Sequence, residues 1–529
     1  MDLPPWASEL RPHQAMAIEQ TLEAYADGAD VVFLSGPTGT GKTLIAKMIQ
    51  QELEAQALYV CSSLTLQDQF AKDFPESRVL KGRSNYPTLM GGAGVTAADC
   101  TSTGAGACRW CPSKAKCPYQ MAKKEAAKAE LMVVNTAYFL TEANLVPDPI
   151  TSGRELVIVD EADVLESELM NFATFEVSER TLKRLELDAP VKAARKPTLV
   201  AWFGTLIERC ENAIAFLDPS DKRFWTLQDF RWYGLLNKIR RGAKDIAGQV
   251  EDERWVRDYP TGRRGEDFGF QMRPVVVHGV GPGQLWRHGD RWLCMSATLI
   301  SSQEMAESLG LELQWAEVDV PMLFPVHNRP LYVAPVADMS NSGQAQGSYA
   351  QLIPAIVNVI GRYDRDDRVL IHSVNYKLTE QITNDLRRLL PDRRVVSYAK
   401  ASERTKAKRD YERIPGAILV APSMDRGVDF AGDLCRVQIV AKVPFPNVGD
   451  RLVSTRMHLP GGDTWYGVQT VRTLVQMTGR GVRSRTDWCD TWLLDEQFVS
   501  NILRKQRKLL PGWWKEALIL DFNPRELKN

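Results

Sequence analysis

Val31-Val32-Phe33-Leu34-Ser35-Gly36-Pro37-Thr38-Gly39-Thr40-Gly41-Lys42-Thr43 runs from an apolar, β-prone segment into a glycine-rich turn, and helical spacing follows over residues 44–55. Strand, turn and helix in that order are the context a P-loop requires. The glycines let backbone N–H groups turn inward around phosphates, and the following helix points its positive end at them. Gly36, Thr38, Gly39, Thr40 and Gly41 are therefore expected to form the cradle. Lys42 is expected to reach the β- and γ-phosphates, and the Thr43 hydroxyl to hold Mg²⁺.

A second apolar run, Val157-Ile158-Val159, ends in Asp160-Glu161-Ala162-Asp163. Acidic strand ends are common, but beside a P-loop this one supplies the partner carboxylates. Asp160 is expected at Mg²⁺, and Glu161 at the attacking water. Ser296-Ala297-Thr298 ends another run; a plain turn is its default reading, and coupling of the phosphate to a neighbouring lobe is the functional one. Farther on, Met424-Asp425-Arg426-Gly427-Val428-Asp429-Phe430 offers a carboxylate, Asp429, near the same cleft. Gln476-Met477-Thr478-Gly479-Arg480-Gly481-Val482-Arg483 sets Arg480 and Arg483 three apart, which on one helix would give them a shared face. Either could stabilise transition-state charge from across the cleft, and Gln476 joins the nucleotide-binding set. Surface arginines are the bland alternative.

Similar apolar runs recur at 58–61, 132–134 and 292–295, then at 369–371, 395–396, 417–420, 437–440 and 492–494. Continuous rather than alternating apolar character suits strands covered on both faces of a parallel sheet. The fold expected is α/β, with two doubly wound, RecA-like lobes joined near 320–335. At 529 residues the chain exceeds one core. Two segments interrupt the first lobe: 85–128, rich in Gly and Cys and then in Lys and Ala, and 165–288, helical in pattern and rich in tryptophan. Most of those tryptophans are expected in a core.

Lys+Arg and Asp+Glu are both 66, so net charge says nothing about nucleic acid. Basic residues crowd 386–413, where a solvated face and a DNA-facing one compete evenly. No basic-then-apolar leader opens the chain and no apolar run approaches membrane length, so a cytoplasmic protein is expected. The six histidines are dispersed, which argues against a histidine metal site. Of nine cysteines, four cluster as Cys100-x7-Cys108-x2-Cys111-x5-Cys117. The spacing leaves zinc and iron–sulfur ligation open.

Taken in order, these pieces resemble the XPD/DinG family of superfamily 2 iron–sulfur DNA helicases. Arg11-Pro12-His13-Gln14 matches its adenine-side glutamine motif, and Ser62-Ser63-Leu64-Thr65-Leu66-Gln67-Asp68-Gln69 its strand-contacting motif. Lys81-Gly82-Arg83-Ser84-Asn85-Tyr86, the carboxylate box, Ser296-Ala297-Thr298, 425–430, 476–483 and Leu509-Leu510-Pro511-Gly512-Trp513-Trp514 continue the match. The resemblance implies Gln14 at the adenine, 5′→3′ polarity on single-stranded DNA, and a [4Fe–4S] cluster in the insert after Asn85. It also implies a helical Arch domain at 165–288 that forms a hole with the cluster domain. The chain departs from the pattern at Thr88, where the first cluster ligand usually stands; Cys100 would have to replace it.

The organisation expected is lobe 1 at 1–84, cluster insert 85–128, lobe 1 again at 129–164, Arch 165–288, the end of lobe 1 at 289–325, and lobe 2 at 326–529. The activity expected is ATP-dependent unwinding of DNA by a monomer that binds single strands and duplex junctions, with possible contacts to proteins through the Arch. A translocase that strips proteins from single strands, and an ATP-gated DNA-binding scaffold, are the alternatives. No nuclease motif is apparent.

Overall fold

The computed structural model describes residues 4, 7, 9–89, 95–100, 113–192, 194–217, 225–248, 254–259, 269–422, 430, 432–482 and 484–527. Cys108, Cys111, Asp429 and Arg483 lie outside the described residues.

The first lobe is built on a seven-stranded, all-parallel sheet. Its spatial order is Trp315–Asp319, Val31–Ser35, Arg291–Ser296, Leu156–Asp160, Ala57–Cys61, Leu131–Asn135 and Arg78–Val79. Successive side chains serve opposite cores: Val31 and Phe33 pack in one cluster with Leu58 and Val60, whereas Val32 and Leu34 pack in another with Ala57 and Tyr59. Two cores, one on each face, are why these strands read as unbroken apolar runs. The second lobe repeats the plan, in the order Val395–Ser397, Ile418–Ala421, Val369–His372, Val437–Val440, Asp490–Asp495, Leu331–Ala337 and Leu518–Ile519, again all parallel. The two RecA-like lobes expected from sequence are both present.

Between Leu156–Asp160 and Arg291–Ser296 the chain leaves the first lobe and builds a separate core. The long helices Lys196–Phe216 and Leu227–Ala247 pack there on each other and on a three-stranded antiparallel sheet, ordered Phe175–Val177, Phe270–Pro274, Trp255–Asp258. A helical insert was expected, and the sheet corrects that. Its strands are three to five residues long, too short for their period-two burial to stand out in the sequence. The tryptophans are largely structural, as expected. Trp232 and Trp286 are buried, Arg184 lies 3.8 Å over the Trp232 ring, and the indole N–H groups of Trp202 and Trp225 each donate to a carbonyl at 2.8 Å.

The basic run at 386–413 divides in a similar way. Arg393 donates to the carbonyls of Gly416 and Asp367, Arg387 to that of Val395, and Lys408 pairs with Glu412. Much of that charge therefore braces the second lobe. No described helix is long and apolar enough to cross a membrane.

The helix Pro118–Lys128 follows Cys117 and returns the chain to the first lobe. Arg154, almost fully buried, donates to the carbonyls of Ala126 and Ala127 at 3.1 Å and to that of Ala129, satisfying the acceptors that a helix C-terminus leaves open. Arg154→Ala would strand these carbonyls in a closed space, at a cost of about 2–3 kcal/mol. The expected outcome is a Tm several degrees lower, and faster proteolysis near 118–128, checked by thermal melts and limited trypsin digestion.

Candidate active site

Parallel register brings the motifs to one edge. Ser35, just before the glycine-rich turn, pairs with Ser296, and Asp160 pairs with Met295. The turn, the carboxylate box and Ser296-Ala297-Thr298 therefore leave adjacent strands side by side, at the C-terminal edge where open α/β sheets bind ligands.

Within the turn, Gly39 and Gly41 adopt φ of 86° and 80°, where a β-carbon would be strained. A β-carbon on Gly41 would also meet the Gln14 amide nitrogen at 2.3 Å. Gln14 donates to the Thr40 carbonyl at 3.1 Å, and the His13 ring nitrogen approaches the same oxygen at 3.0 Å. Gln14 is thus fixed against the turn. Lys42 begins the helix Lys42–Glu52, and its ammonium donates to the Gly36 carbonyl at 2.8 Å, folded over the loop it serves.

Facing it, Asp160 accepts from the Tyr59 hydroxyl at 2.9 Å and from the Glu161 N–H at 3.0 Å. Burial pushes the Asp160 carboxyl above its ordinary range; Lys42, Tyr59 and the Glu161 N–H pull against that. Tyr59 is itself pushed up, mainly by burial and then by the Asp160 charge, and the Thr43 hydroxyl bonds to it. Tyr59 therefore connects the two groups expected at Mg²⁺. Sequence reading missed it because a tyrosine inside an apolar strand carries no mark of its partner. Glu161 adopts φ 54°, ψ 48°, a left-handed conformation that is costly for a residue with a side chain.

Asp163 is buried and joins the lobes. It accepts from Ser296 Oγ at 2.7 Å and from the Gln476 amide at 2.9 Å, while that amide also donates to Thr298 Oγ1 at 2.8 Å. Gln476 thus sits on the carboxylate box and the Ser-Ala-Thr turn. One helical turn on, Glu166 accepts from Trp465 Nε1 at 3.1 Å and lies 3.3 Å from Arg456 Nη2. Neither contact was visible in the sequence.

The helix Gly462–Thr478 ends at Gly479, so Arg480 lies beyond it. The expected shared helical face for Arg480 and Arg483 is therefore corrected. Gly481 comes so close to Cys489 that a β-carbon would meet the sulfur at 2.3 Å, and the chain turns away there. Even so, the turn approaches the P-loop: Thr38 from one lobe and Thr478, Gly479 and Val482 from the other line one small cavity of about 40 Å³.

Of the clustered cysteines, Cys100 and Cys117 are described. Thr88 Oγ1 lies 2.6 Å from the buried Cys100 sulfur, and the Pro87–Thr96 bridge folds the loop back to bring them together. Cys100 thus stands beside the residue it was expected to replace. Cys117 is partly buried at the N-cap of Pro118–Lys128, an end that favours negative charge. Among the described residues no three His, Cys, Asp or Glu side chains gather as a metal site, and thiolate is the donor type that soft metals and iron–sulfur clusters take.

Two family models match the chain. Residues 7–163 fit the type III restriction enzyme res subunit, and 340–517 fit the helicase C-terminal domain. The chain is 37% identical over 100 residues to the Fanconi anemia group J protein homolog of Gallus gallus, covering 16% of this chain and 8% of that one. It is 29% identical over 100 residues to the ATP-dependent DNA helicase chl-1 of Caenorhabditis elegans, covering 17% and 12%. A solved XPD helicase superposes with TM-score 0.62 at 15% identity, over 97% of this chain and 98% of that one. These matches, with the two lobes, support the resemblance to the XPD/DinG family of superfamily 2 helicases. The S. tokodaii Xpd4 structure shares the fold as well, with TM-score 0.55 at 14% identity over 96% and 99% of the two chains. The matched segments span only about a tenth of the curated relatives' lengths.

In this XPD-like chain the junction of the lobes carries a titratable group, Glu304. Burial, and then the neighbouring Glu166, push its carboxyl up to about 7, against the pull of Arg472 and Arg456. A raised carboxyl binds its proton more tightly when folded, so its contribution to stability is present at low pH. That contribution is lost as pH rises from the ordinary carboxylate range through about 7. Glu304→Gln is expected to raise stability at pH 8 by roughly 1–2 kcal/mol and to change it little at pH 5. Melts of parent and variant at the two pH values check this.

Proposed function

We propose that this chain hydrolyses ATP to translocate 5′→3′ along single-stranded DNA and to separate duplex ahead of it. One observation carries the reading. The P-loop and the turn after Gly462–Thr478 come from different lobes and line the same narrow space, so nucleotide held there would bridge them.

In this reading the glycine-rich turn and Lys42 hold the phosphates, and Gln14 holds the adenine. Thr43 and Asp160 would hold Mg²⁺, which neutralises charge on the transferring phosphoryl group when bound. Glu161 orients the attacking water. Arg480, with Arg483, stabilises charge from the second lobe, and Asp429 and Gln476 complete the nucleotide side. Gln476 has the further task of reporting the state of the carboxylate box to the second lobe, through Asp163 and Thr298. Lobe closure on ATP and reopening after hydrolysis then alternate the grip on the DNA backbone.

Lys42→Ala should lower ATPase by orders of magnitude, since electrostatic stabilisation dominates phosphoryl transfer, with single-strand binding largely kept. Arg480→Ala should reduce kcat far more than it weakens ATP binding, in the range of ~10³–10⁵ reported for arginine fingers. Steady-state ATPase with and without single-stranded DNA measures both, and parent-like turnover in either variant would remove that residue from the site.

Cys100, Cys108, Cys111 and Cys117 are proposed to hold a [4Fe–4S] cluster, in an insert spanning 85–128 with an Arch at 165–288. Thiolate is the ligand cluster iron prefers, and the adjacency of Cys100 to Thr88 supports its standing in for the missing first ligand. Anaerobically purified parent should contain about four irons per chain and absorb visibly, and Cys100→Ser should lose most of both. One zinc per chain and no colour would replace the iron–sulfur reading, and an intact cluster in the variant would exclude Cys100.

A further inference from the structure

A cavity of about 670 Å³ lies where three parts of the molecule meet. Ser62 and Asp163 line it from the first lobe, Arg273 from the insert, and Pro444, Leu452 and Trp465 from the second lobe. Ser62 opens the segment read as strand-contacting, so a single strand on this molecule would run through or beside this space. The inference below rests on that reading.

The insert is covalently part of the first lobe, yet it also touches the second. Arg273 Nη2 lies 3.1 Å from Asp450 Oδ1, while its Nε donates within the insert to Asp258 Oδ2 at 2.7 Å. Asp450 is held in place because it caps the helix Arg451–His458, accepting from the Leu452 N–H at 2.8 Å. Arg451 donates back to the Arg257 carbonyl at 2.9 Å, and Arg456 reaches the Val275 carbonyl at 3.4 Å. These contacts are polar throughout. Among the described residues, no hydrophobic cluster contains side chains of both the insert and the second lobe.

The other seam of the insert is built differently. Residues 95–100 meet the helix Leu227–Ala247 through buried Cys100 and Phe230, with Trp225 packed against them, and through an Asp99–Arg231 pair. Apolar burial holds a seam shut, because opening it exposes that surface to water. Partly exposed ion pairs exchange partners with water and salt at little cost. Arg273 and Asp450 have side chains 26% and 39% exposed. Of the insert's two seams, the one with the second lobe, which borders the cavity through Arg273, is therefore the weaker.

We propose that the Arg273–Asp450 contact is a gate that parts to admit the interior of a DNA strand with no free end. A strand with an end can thread past a closed gate, whereas a circle cannot. The gate therefore governs the ratio of loading on circular strands to loading on linear ones.

The test times association of the full-length protein with a fluorescent single-stranded circle and with the same strand cut once. Arg273→Gln should raise the circle-to-cut ratio about fivefold, the scale set by one partly exposed ion pair. Asp450→Asn, which keeps an oxygen for the Leu452 N–H, should raise it equally, and the double variant should go no further. Arg273→Lys, which keeps the charge, should stay near the parent. An unchanged ratio in both single variants overturns the gate. An equal acceleration on both strands also overturns it, assigning the pair to the general electrostatics of the path. A parent that binds neither strand removes the single-strand reading, and the gate with it.

Discussion

Asp163 is a carboxylate closed off from water at the place where the two lobes touch, and its charge must be met there. Ser296 supplies one donor from the first lobe, and Gln476 supplies another from the second. An unpaired carboxylate in such a place would cost several kcal/mol, so the lobes are held in the relation that lets both donors reach it. Once Gln476 is seated, the whole helix Gly462–Thr478 is seated with it. The turn beyond Gly479 then falls opposite the P-loop, and Trp465 and Arg472 fall beside the large cavity.

That helix has an evident consequence for coupling. Trp465, Gln469, Arg472 and Gln476 follow one another at helical spacing and so share a face. The first three line the 670 Å³ cavity, and the fourth bonds the carboxylate box. A rigid element with one end at the carboxylate box and the other at the cavity can carry a change between them without an intermediary. Glu166 strengthens the connection by holding Trp465 and Arg456 from a position three residues after Asp163.

The insert changes the second lobe's surroundings as well. It stands on the first lobe, packs its own core of aromatic and aliphatic side chains, and reaches the second lobe only through charge and backbone carbonyls among the described residues. A domain attached firmly on one side and ionically on the other is free to follow one lobe while releasing the other. The Cys100–Phe230 contact places the cysteine-bearing loop on the firm side.

Much of this protein was determined locally and could be read from the sequence. The P-loop is a strand, a turn that needs positive φ at Gly39 and Gly41, and a helix, all specified by adjacent residues. Both parallel sheets announced themselves, because each strand fills two cores and so reads as a continuous apolar run. Asp160 and Glu161 were legible as the end of such a strand. The short strands of the insert left no periodic trace, and the helix carrying Gln476 stops before Arg480 because Gly481 must pass close against Cys489. Tyr59 meets Asp160 from 101 residues away, Arg456 meets Glu166 from 290, and Arg273 meets Asp450 from 177. Nothing near any of these residues in the chain distinguishes it from its many unremarked equivalents. Each acquires its partner only when folding brings two distant segments together and removes the water that would otherwise have satisfied both.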